Sequence, residues 1–214
     1  MTEKTILCYG DSNTWGYVPQ EGGRYGGDTR WPRRMADVLG NGYYVVEEGL
    51  NGRTTAFDDP IEPYRNGRKS LEVCLLTHNP VDLFVVMLGT NDTKGFLHLT
   101  PYMIGKGLES ILEEAGRAKY GRSGQPPRIL VISPISISAK GLNAQMREYF
   151  NEASETKAQA LADIYRQVAQ QYGCAFFDAS QFAKPSMRDG IHMEPEDHLA
   201  LAEGMAAAVR QALD

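Results

Sequence analysis

A serine and a histidine near opposite ends of the chain stand among residues that could make them reactive. Ser12 follows Gly10 and Asp11 directly after a short apolar run, and His192 follows Asp189 by three positions. A serine hydroxyl is a weak nucleophile until a base removes its proton, and histidine is the base whose pKa lies nearest to neutral pH. A carboxylate close to the histidine can hold the imidazole in the required tautomer. These residue types predict acyl transfer through Ser12, with His192 as the base and Asp189 as the acid that orients it.

Acyl transfer also needs hydrogen-bond donors that stabilise the negative charge of the tetrahedral intermediate. Gly52 and Asn91 are the candidates for this role. Each has a plainer interpretation when taken alone, because glycine is common in turns and an Asn91-Asp92 pair suits an Asx turn or a helix cap. The Gly10-Asp11-Ser12 segment could equally begin a helix as a cap. The hypothesis of an active site therefore depends on the whole set lying together.

Short apolar runs separated by helical patterns indicate how these residues are positioned. The runs predict five strands, at Thr5–Tyr9, Tyr43–Glu47, Val81–Leu88, Arg128–Ser133 and Ala175–Phe177. Helical spacing of apolar residues predicts five helices, at Trp31–Leu39, Lys69–Thr77, Pro101–Lys119, Glu152–Tyr172 and Pro195–Leu213. The strand runs are apolar throughout, which is typical of parallel strands covered on both faces. The alternation predicts an α/β fold, a three-layer α/β/α sandwich around a five-stranded parallel sheet, in one domain spanning residues 1–214.

The candidate residues share a position in this predicted fold. Ser12, Gly52, Asn91 and His192 all lie in long loops that follow predicted strands. In a parallel sheet these loops gather at the carboxyl edge, where ligands bind. We therefore expect the four residues to meet at one edge of the sheet.

Four segments resemble the conserved blocks of a known family. They are Gly10-Asp11-Ser12, Gly52, Gly89-Thr90-Asn91-Asp92 and Asp189-Gly190-Ile191-His192. In order and spacing they resemble the blocks of the SGNH hydrolases, also called the GDSL esterases and lipases. The resemblance implies a flavodoxin-like sandwich with Ser12, His192 and Asp189 as catalytic residues. It also implies an oxyanion hole made by the backbone N–H groups of Ser12 and Gly52 and the side-chain amide of Asn91. This chemistry needs no cofactor.

Longer segments make the resemblance more specific within that family. Gly10–Gly16, Glu47–Thr55 and Met87–Lys94 are similar to the mycobacterial arylesterases, which also act as acyltransferases in water. The likeness implies a small-molecule ester with a small acyl group as substrate, and water or an alcohol as acyl acceptor. It also implies a homo-oligomer, with the insertions around Tyr17–Asp28 and Ser138–Phe150 as candidate contacts.

Other functions would use the same residues. A carbohydrate O-deacetylase or a thioesterase could have the same site, and acetylated sugars compared with simple alcohol acetates would discriminate between substrates. An alternative from a different class is a non-catalytic, flavodoxin-like binding module that holds an anion at the loop edge. A fluorophosphonate probe would leave such a module unlabelled.

Residues around the predicted site have less specific interpretations. Asp11 and Trp15 are candidates for substrate binding, although Asp11 also suits a structural turn and Trp15 a position in the core. Four further residues could shape the pocket or serve packing or the surface: Arg53, Thr54, Lys94 and Phe96.

Three other histidines are assigned structural or surface positions. His78 is predicted to cap the end of a helix, His98 to lie at the surface, and His198 to lie on the solvated face of the last helix. No second histidine stands at ligand spacing from His192, and the three cysteines form no CxxC pair, so no metal site is expected.

Composition limits the class of partner. Apolar residues make up 42% of the 214 residues and charged residues 23%, as in ordinary globular proteins. The net charge is −5 and no basic run occurs, which argues against nucleic acid as a partner. No stretch approaches the roughly 20 apolar residues of a membrane span, and the first apolar run is too short for a signal peptide. A cytoplasmic protein without a membrane partner is expected.

Overall fold

Five parallel strands form the centre of the molecule. A computed structural model describes residues 3–214, so Met1 and Thr2 at the start of the predicted domain lie outside the described residues. The strands are β1 (Lys4–Gly10), β2 (Tyr43–Gly49), β3 (Leu83–Met87), β4 (Arg128–Ser133) and β5 (Ala175–Asp178). Their order in the sheet is β2-β1-β3-β4-β5, which is the flavodoxin-like order. The predicted fold class is therefore confirmed, whereas a single domain over residues 1–214 stays a prediction.

Helices connect and follow the strands. They are α1 (Ser12–Trp15), α2 (Trp31–Leu39), α3 (Gly67–Thr77), α4 (Pro101–Ala115), α5 (Ala144–Arg147), α6 (Glu152–Gln171) and α7 (Pro195–Leu213). α4 ends at Ala115 rather than at the predicted Lys119, because Gly116 follows it and residues 118–120 form a separate turn of 3-10 helix. α1 and α5 are single turns, too short to give a periodic pattern. Every helix within residues 3–214 is too short or too polar to cross a lipid bilayer.

Apolar side chains on both faces of the sheet explain the uninterrupted apolar runs. In β1, Ile6 and Cys8 join the core that includes α2 and α7, whereas Leu7 and Tyr9 join the core that includes α3, α4 and α6. All four are essentially inaccessible to solvent. Two helical layers therefore cover the sheet and hold the strands in register.

The strands end level with one another at the edge that carries the candidate residues. Gly10 at the end of β1 pairs with Gly49 of β2 and with Met87 of β3. The order of connections reverses between β1 and β3, and a reversal of this kind opens a crevice at the carboxyl edge. Ser12 follows the first of these strands and Asn91 the second. The topology thus places them on either side of the crevice.

Candidate active site

Ser12 is the first residue of α1, immediately beyond the end of β1. Asp11 caps this helix, since its Oδ1 accepts the Asn13 N–H at 3.0 Å and its carbonyl oxygen accepts the N–H groups of Thr14 and Trp15. The side chain of Ser12 is 6% exposed. The backbone N–H of a first helical residue has no partner within the helix. Within residues 3–214 this N–H donates to no other protein group, so it is free for a ligand.

His192 joins the serine to an aspartate. Its Nε2 lies 2.9 Å from Oγ of Ser12, and its Nδ1 lies 2.7 Å from Oδ2 of Asp189. All three side chains are at most 6% exposed. A proton on Nδ1 is donated to the carboxylate, which leaves Nε2 able to accept the serine proton. The three residues predicted to act together are therefore within hydrogen-bond distance of one another.

Asp189 is held in its charged form. Its Oδ1 accepts the backbone N–H groups of Ile191 and His192, each at 3.0 Å, and the N–H of Gln20 lies 3.3 Å from Oδ2. Burial alone would raise the pKa of this carboxyl group. The hydrogen bond and charge of His192, together with the backbone N–H groups, outweigh burial and hold the pKa of Asp189 below its ordinary value.

The segment after α1 covers the histidine. The ring of Tyr17 lies against the imidazole of His192, with 4.2 Å between ring centroids and 31° between planes. The Asn13 side chain donates to the carbonyl oxygen of Ile191 at 3.3 Å, and the Ser186 N–H donates to that of His192 at 2.7 Å. The contacts of Tyr17 and Asn13 fasten the last loop against the segment that carries Ser12, although the two are far apart in sequence, and the Ser186 contact lies within the last loop.

Asn91 lies in the same cavity with its amide oriented by the backbone. Its Nδ2 donates to the carbonyl oxygen of Arg53 at 3.1 Å, and the side chain is 5% exposed. An amide group carries two N–H donors, so the second remains available for a ligand. Asn91 can therefore act as a fixed donor beside Ser12.

Gly52 has a backbone conformation that favours glycine. Its φ is +79°, a conformation that other residues rarely adopt. A Cβ atom built on it would lie 2.9 Å from Oε2 of Glu62 and 3.1 Å from Nε of Arg65. Its N–H donates to no acceptor in the part of the chain that the structure describes. Gly52 thus has a backbone N–H group without a protein acceptor, and the charged side chains of Glu62 and Arg65 lie close to its Cα atom.

The candidate residues line a cavity of about 270 Å³. Ser12 and His192 lie in its wall with two further groups. The polar group comes from the loops after β2 and β3: Asn51, Gly52, Glu62, Arg65, Asn91 and Lys94. The mainly apolar group comes largely from the segment after β4: Tyr17, Gln145, Met146, Tyr149, Phe150 and Ile191. The cavity can therefore accept a small ligand with one apolar and one polar part.

Asp92 supports the loops around the cavity. Its carboxylate accepts the Thr55 N–H at 3.1 and 3.0 Å and also accepts the Thr55 hydroxyl. The side chain is inaccessible to solvent, and burial raises its pKa to about 6. This contact ties the loop after β2, which holds Gly52, to the loop after β3, which holds Asn91.

Two substrate-binding candidates lie away from the cavity wall. Asp11 is buried under α1 as its cap, and burial raises its pKa to about 6. Trp15 is half-buried beside the ring of Tyr17, with the guanidinium of Arg24 5.3 Å from its ring centroid. Neither residue lines the cavity, because α1 directs them away from it. Both have structural positions instead.

The prediction for His198 was wrong. The side chain is fully buried rather than solvated, 5.5 Å from the ring of Tyr25 and with Nδ1 accepting the N–H of Trp31 at 3.4 Å. Burial lowers its pKa to about 4. His78 does end α3 and His98 is exposed, as predicted. The loop of residues 17–30 folds over the start of α7, which sequence spacing alone did not reveal.

Most of the charged residues that line the cavity could not be predicted from the sequence. Lys94 was considered for the pocket and does line it, whereas Arg53 instead donates to the carbonyl oxygens of Gly10 and Glu48. Glu62 and Arg65 were not considered, because they lie in an irregular loop without periodicity. The only available signal was their proximity to Gly52 in sequence. Within residues 3–214, no three His, Cys, Asp or Glu side chains come together in a way that could hold a metal ion.

The sheet order and the row of Ser12, His192 and Asp189 define the class of protein, an esterase or acylhydrolase of the SGNH type. The chain belongs to the GDSL-like lipase/acylhydrolase family, whose model matches residues 8–200. The resemblance inferred from the four sequence blocks is therefore confirmed.

Several proteins similar to this chain are esterases. The aryl esterase of M. smegmatis is 37% identical with a TM-score of 0.92, over 98% of this chain and 100% of that one. A carbohydrate acetylesterase from Sinorhizobium meliloti is 33% identical with a TM-score of 0.92, over 98% and 99% of the two chains. An acetylxylan esterase from Xylanibacter ruminicola is 26% identical over 221 residues. That match covers 96% of this chain but only 43% of the relative, so this chain spans less than half of its length.

Proposed function

We propose that this protein hydrolyses carboxylic esters of small acyl groups through an acyl-enzyme formed on Ser12. The observation that carries the proposal is the hydrogen-bonded chain from Ser12 Oγ through His192 to Asp189, with distances of 2.9 and 2.7 Å. This hydrogen-bonded chain supplies a nucleophile, a base and an orienting carboxylate in the order that acyl transfer requires.

Nucleophilic attack begins with proton transfer from Ser12 to Nε2 of His192. Oγ forms a bond to the carbonyl carbon of the ester, and the π electrons move onto the carbonyl oxygen. The free N–H groups of Ser12 and Gly52 and the second amide hydrogen of Asn91 stabilise this oxyanion. Asp189 stabilises the imidazolium that forms, because its carboxylate stays ionised.

Collapse of the intermediate releases the alcohol. The bond between the carbonyl carbon and the alkoxy oxygen breaks, and His192 donates its proton to that oxygen. Water then attacks the acyl-enzyme with His192 again as base, which yields the carboxylic acid and regenerates Ser12. An alcohol in place of water gives a new ester, so hydrolysis and acyl transfer share one intermediate.

The size of the cavity supports a small acyl group. A volume of about 270 Å³ lies at or just below the usual range for small-molecule sites. A series of p-nitrophenyl esters from acetate to octanoate tests this point. We expect kcat/KM to fall with chain length, and faster turnover of octanoate than of acetate would contradict the proposal.

Acyl transfer is tested by competition between acceptors. The wild-type protein is incubated with vinyl acetate and a primary alcohol in water, and the new ester and acetate are quantified. We expect both products, in a ratio that rises with alcohol concentration. Acetate as the sole product at every alcohol concentration would restrict the activity to hydrolysis.

A carbohydrate O-deacetylase is the second candidate for the same site. Two observations favour it: the relatives that are carbohydrate acetylesterases, and the charged side chains of Glu62, Arg65 and Lys94 in the cavity wall. Turnover of acetylated xylan or acetylated monosaccharides well above that of simple alkyl acetates would support this function.

We also propose that the protein is a homo-oligomer. Residues 145–150 form part of the cavity wall and belong to one of the two insertions expected at such a contact. Light scattering of the purified protein gives its mass in solution. A mass equal to that of one chain at all concentrations would reject an oligomer.

A further inference from the structure

A cluster of four charged residues adjoins the candidate site without a role in the chemistry described above. It consists of Asp59, Glu62, Arg65 and Lys94, and we call it the charged cluster. Nζ of Lys94 lies 2.7 Å from Oδ2 of Asp59 and 2.9 Å from Oε2 of Glu62. Nη2 of Arg65 lies 3.8 Å from Oε1 of Glu62. Two acids and two bases leave the cluster without net charge.

Burial divides the charged cluster into two halves. The side chains of Asp59 and Lys94 are 0% and 3% exposed, whereas those of Glu62 and Arg65 are 35% and 26% exposed. A buried ion pair loses the hydration of both charges and on average contributes little to stability. A gain in stability is therefore a weak explanation for the pair.

The buried half holds Glu62 in a fixed position. Oδ1 of Asp59 accepts the backbone N–H groups of Ile61 and Glu62, at 2.8 and 3.0 Å. Lys94 contacts the carboxylate of Glu62 from the other end of its side chain. Both the backbone and the carboxylate of Glu62 are thus anchored to Asp59, directly or through Lys94.

The exposed half faces the cavity that contains Ser12. Glu62 and Arg65 line this cavity, and both come within about 3 Å of the position of a Cβ atom on Gly52. A carboxylate has about four lone-pair sites, and Lys94 occupies one of those on Glu62. Nε of Arg65 is buried and donates to no acceptor within residues 3–214. The cavity therefore offers acceptor positions on Glu62 that protein groups do not satisfy, next to a guanidinium group whose buried Nε has no acceptor within residues 3–214.

We infer that Glu62, together with Arg65, binds hydroxyl groups on the alcohol part of the ester, so that Glu62 makes the enzyme prefer esters of polyhydroxylated alcohols. The inference rests on the proposed esterase function. A simple acyl group carries no O–H donor, so the donors that a carboxylate can accept belong to the alcohol. Met146, Tyr149 and Phe150 supply apolar surface for the acyl group. Sites built to bind a hydroxyl group strongly disfavour the analogue that lacks it.

The test compares two variants of Glu62 with a matched control. Glu62→Leu removes the acceptor at similar volume, and Glu62→Gln keeps one acceptor oxygen without the charge. Glu72→Leu is the control, because Glu72 also pairs with a lysine, Lys119, but lies outside the cavity. Thermal unfolding of each variant verifies that it is folded.

The substrates are glycerol monoacetate and propyl acetate, which share the acyl group and the carbon skeleton of the alcohol and differ in the two hydroxyl groups. We expect the wild type to prefer glycerol monoacetate. Glu62→Leu should lower kcat/KM for it by about 10- to 100-fold, as for loss of a hydrogen bond to a charged group. Propyl acetate should change by less than about 2-fold, Glu62→Gln should recover part of the preference, and Glu72→Leu should match the wild type.

Three results would overturn the inference. They are a wild type without preference, a Glu62→Leu variant with unchanged preference, and an equal loss on both substrates, which would mean that Glu62 acts through Gly52 and the oxyanion hole. Failure of the proposed function is distinguished beforehand, because a wild type that hydrolyses neither these esters nor phenyl acetate would not be an esterase.

Discussion

Asp189 and Asp92 are both buried aspartates, yet the loops around them shift their pKa values in opposite directions. Both are inaccessible to solvent. Asp189, in the loop before α7, contacts Nδ1 of His192 at 2.7 Å and accepts three backbone N–H groups. Asp92 lies in the loop after β3. Within the described residues, the hydrogen bonds that it accepts from side chains and from neighbouring loops come only from the N–H and the hydroxyl of Thr55.

The partner of each carboxylate decides its pKa. Burial alone raises the pKa of a carboxyl group, and at Asp92 it does so to about 6. At Asp189 the bond and charge of His192 reverse the effect and bring the pKa below its ordinary value. The hydrogen-bond partner of a buried aspartate near this site, and not its degree of burial, therefore indicates whether the residue takes part in the chemistry or supports a loop.

The largest effects are expected on the side of the cavity that carries the nucleophile. Ser12→Ala and His192→Ala should each lower kcat by about 10⁴-fold or more, because each removes a group that forms or transfers a bond. Steady-state hydrolysis of phenyl acetate measures the loss. The control is His98→Ala, which replaces an exposed histidine and should leave kcat unchanged. Activity like that of the wild type in Ser12→Ala would contradict the assignment.

The two aspartates themselves provide the matched pair. Asp189→Asn should lower kcat by about 10³- to 10⁴-fold, since the amide favours the wrong tautomer of His192 and removes the charge that stabilises its imidazolium form. Asp92→Asn keeps an acceptor for Thr55 and should lower kcat by less than about 10-fold. Equal losses in the two variants would remove the distinction between the two loops.

Asn91→Ala tests the donor that stands beside the supporting aspartate. If its amide stabilises the oxyanion, kcat should fall by about 10²- to 10³-fold with a smaller change in KM. Asn41→Ala, at an exposed turn, is the control and should have no effect. A negligible loss for Asn91→Ala would assign the oxyanion to the two backbone N–H groups alone.

The smallest effect concerns stability and its dependence on pH. The carboxyl group of Asp92 has a pKa of 3.8 in an unfolded chain and about 6 in the folded protein, so the folded state binds more protons between these values. Its contribution to the free energy of unfolding should fall by up to about 3 kcal/mol as the pH rises from 4 to 7.

Asp92→Asn isolates this contribution from that of Asp11, which titrates over the same range. Urea unfolding of both proteins at pH 4 and pH 7 gives the difference in free energy of unfolding. Relative to Asp92→Asn, the wild type should lose stability as the pH rises. A constant or increasing difference would show that burial does not raise the pKa of Asp92.

The sequence predicted the sheet and the main site residues because their signals are local. Uninterrupted apolar runs require strands covered on both faces, and such strands bring their carboxyl-end loops to one edge. Ser12, Asn91 and His192 could therefore be placed together before any distance was known. The helix bounds were close where proline or glycine marks an end, as at Pro195 and Gly40.

The remaining features depend on contacts between distant segments. His198 stands three, four and seven residues before Leu201, Ala202 and Met205 on the buried face of α7. The loop of residues 17–30 also covers it, and no periodic pattern describes that loop. Glu62 and Arg65 reach the cavity only because residues 50–66 fold back beside Gly52. Asp11 was a candidate for substrate binding as well as for a structural turn, and its burial as the cap of α1 favours the structural role.

The central claim is that Ser12 is a nucleophile activated by His192. Intact-mass measurement after incubation with a fluorophosphonate, followed by peptide mapping, tests it most directly. We expect one adduct on the wild type, located on Ser12, and none on Ser12→Ala, with much slower labelling of His192→Ala. An adduct on another residue, or a wild type that stays unlabelled while Asp189 and His192 are intact, would contradict it.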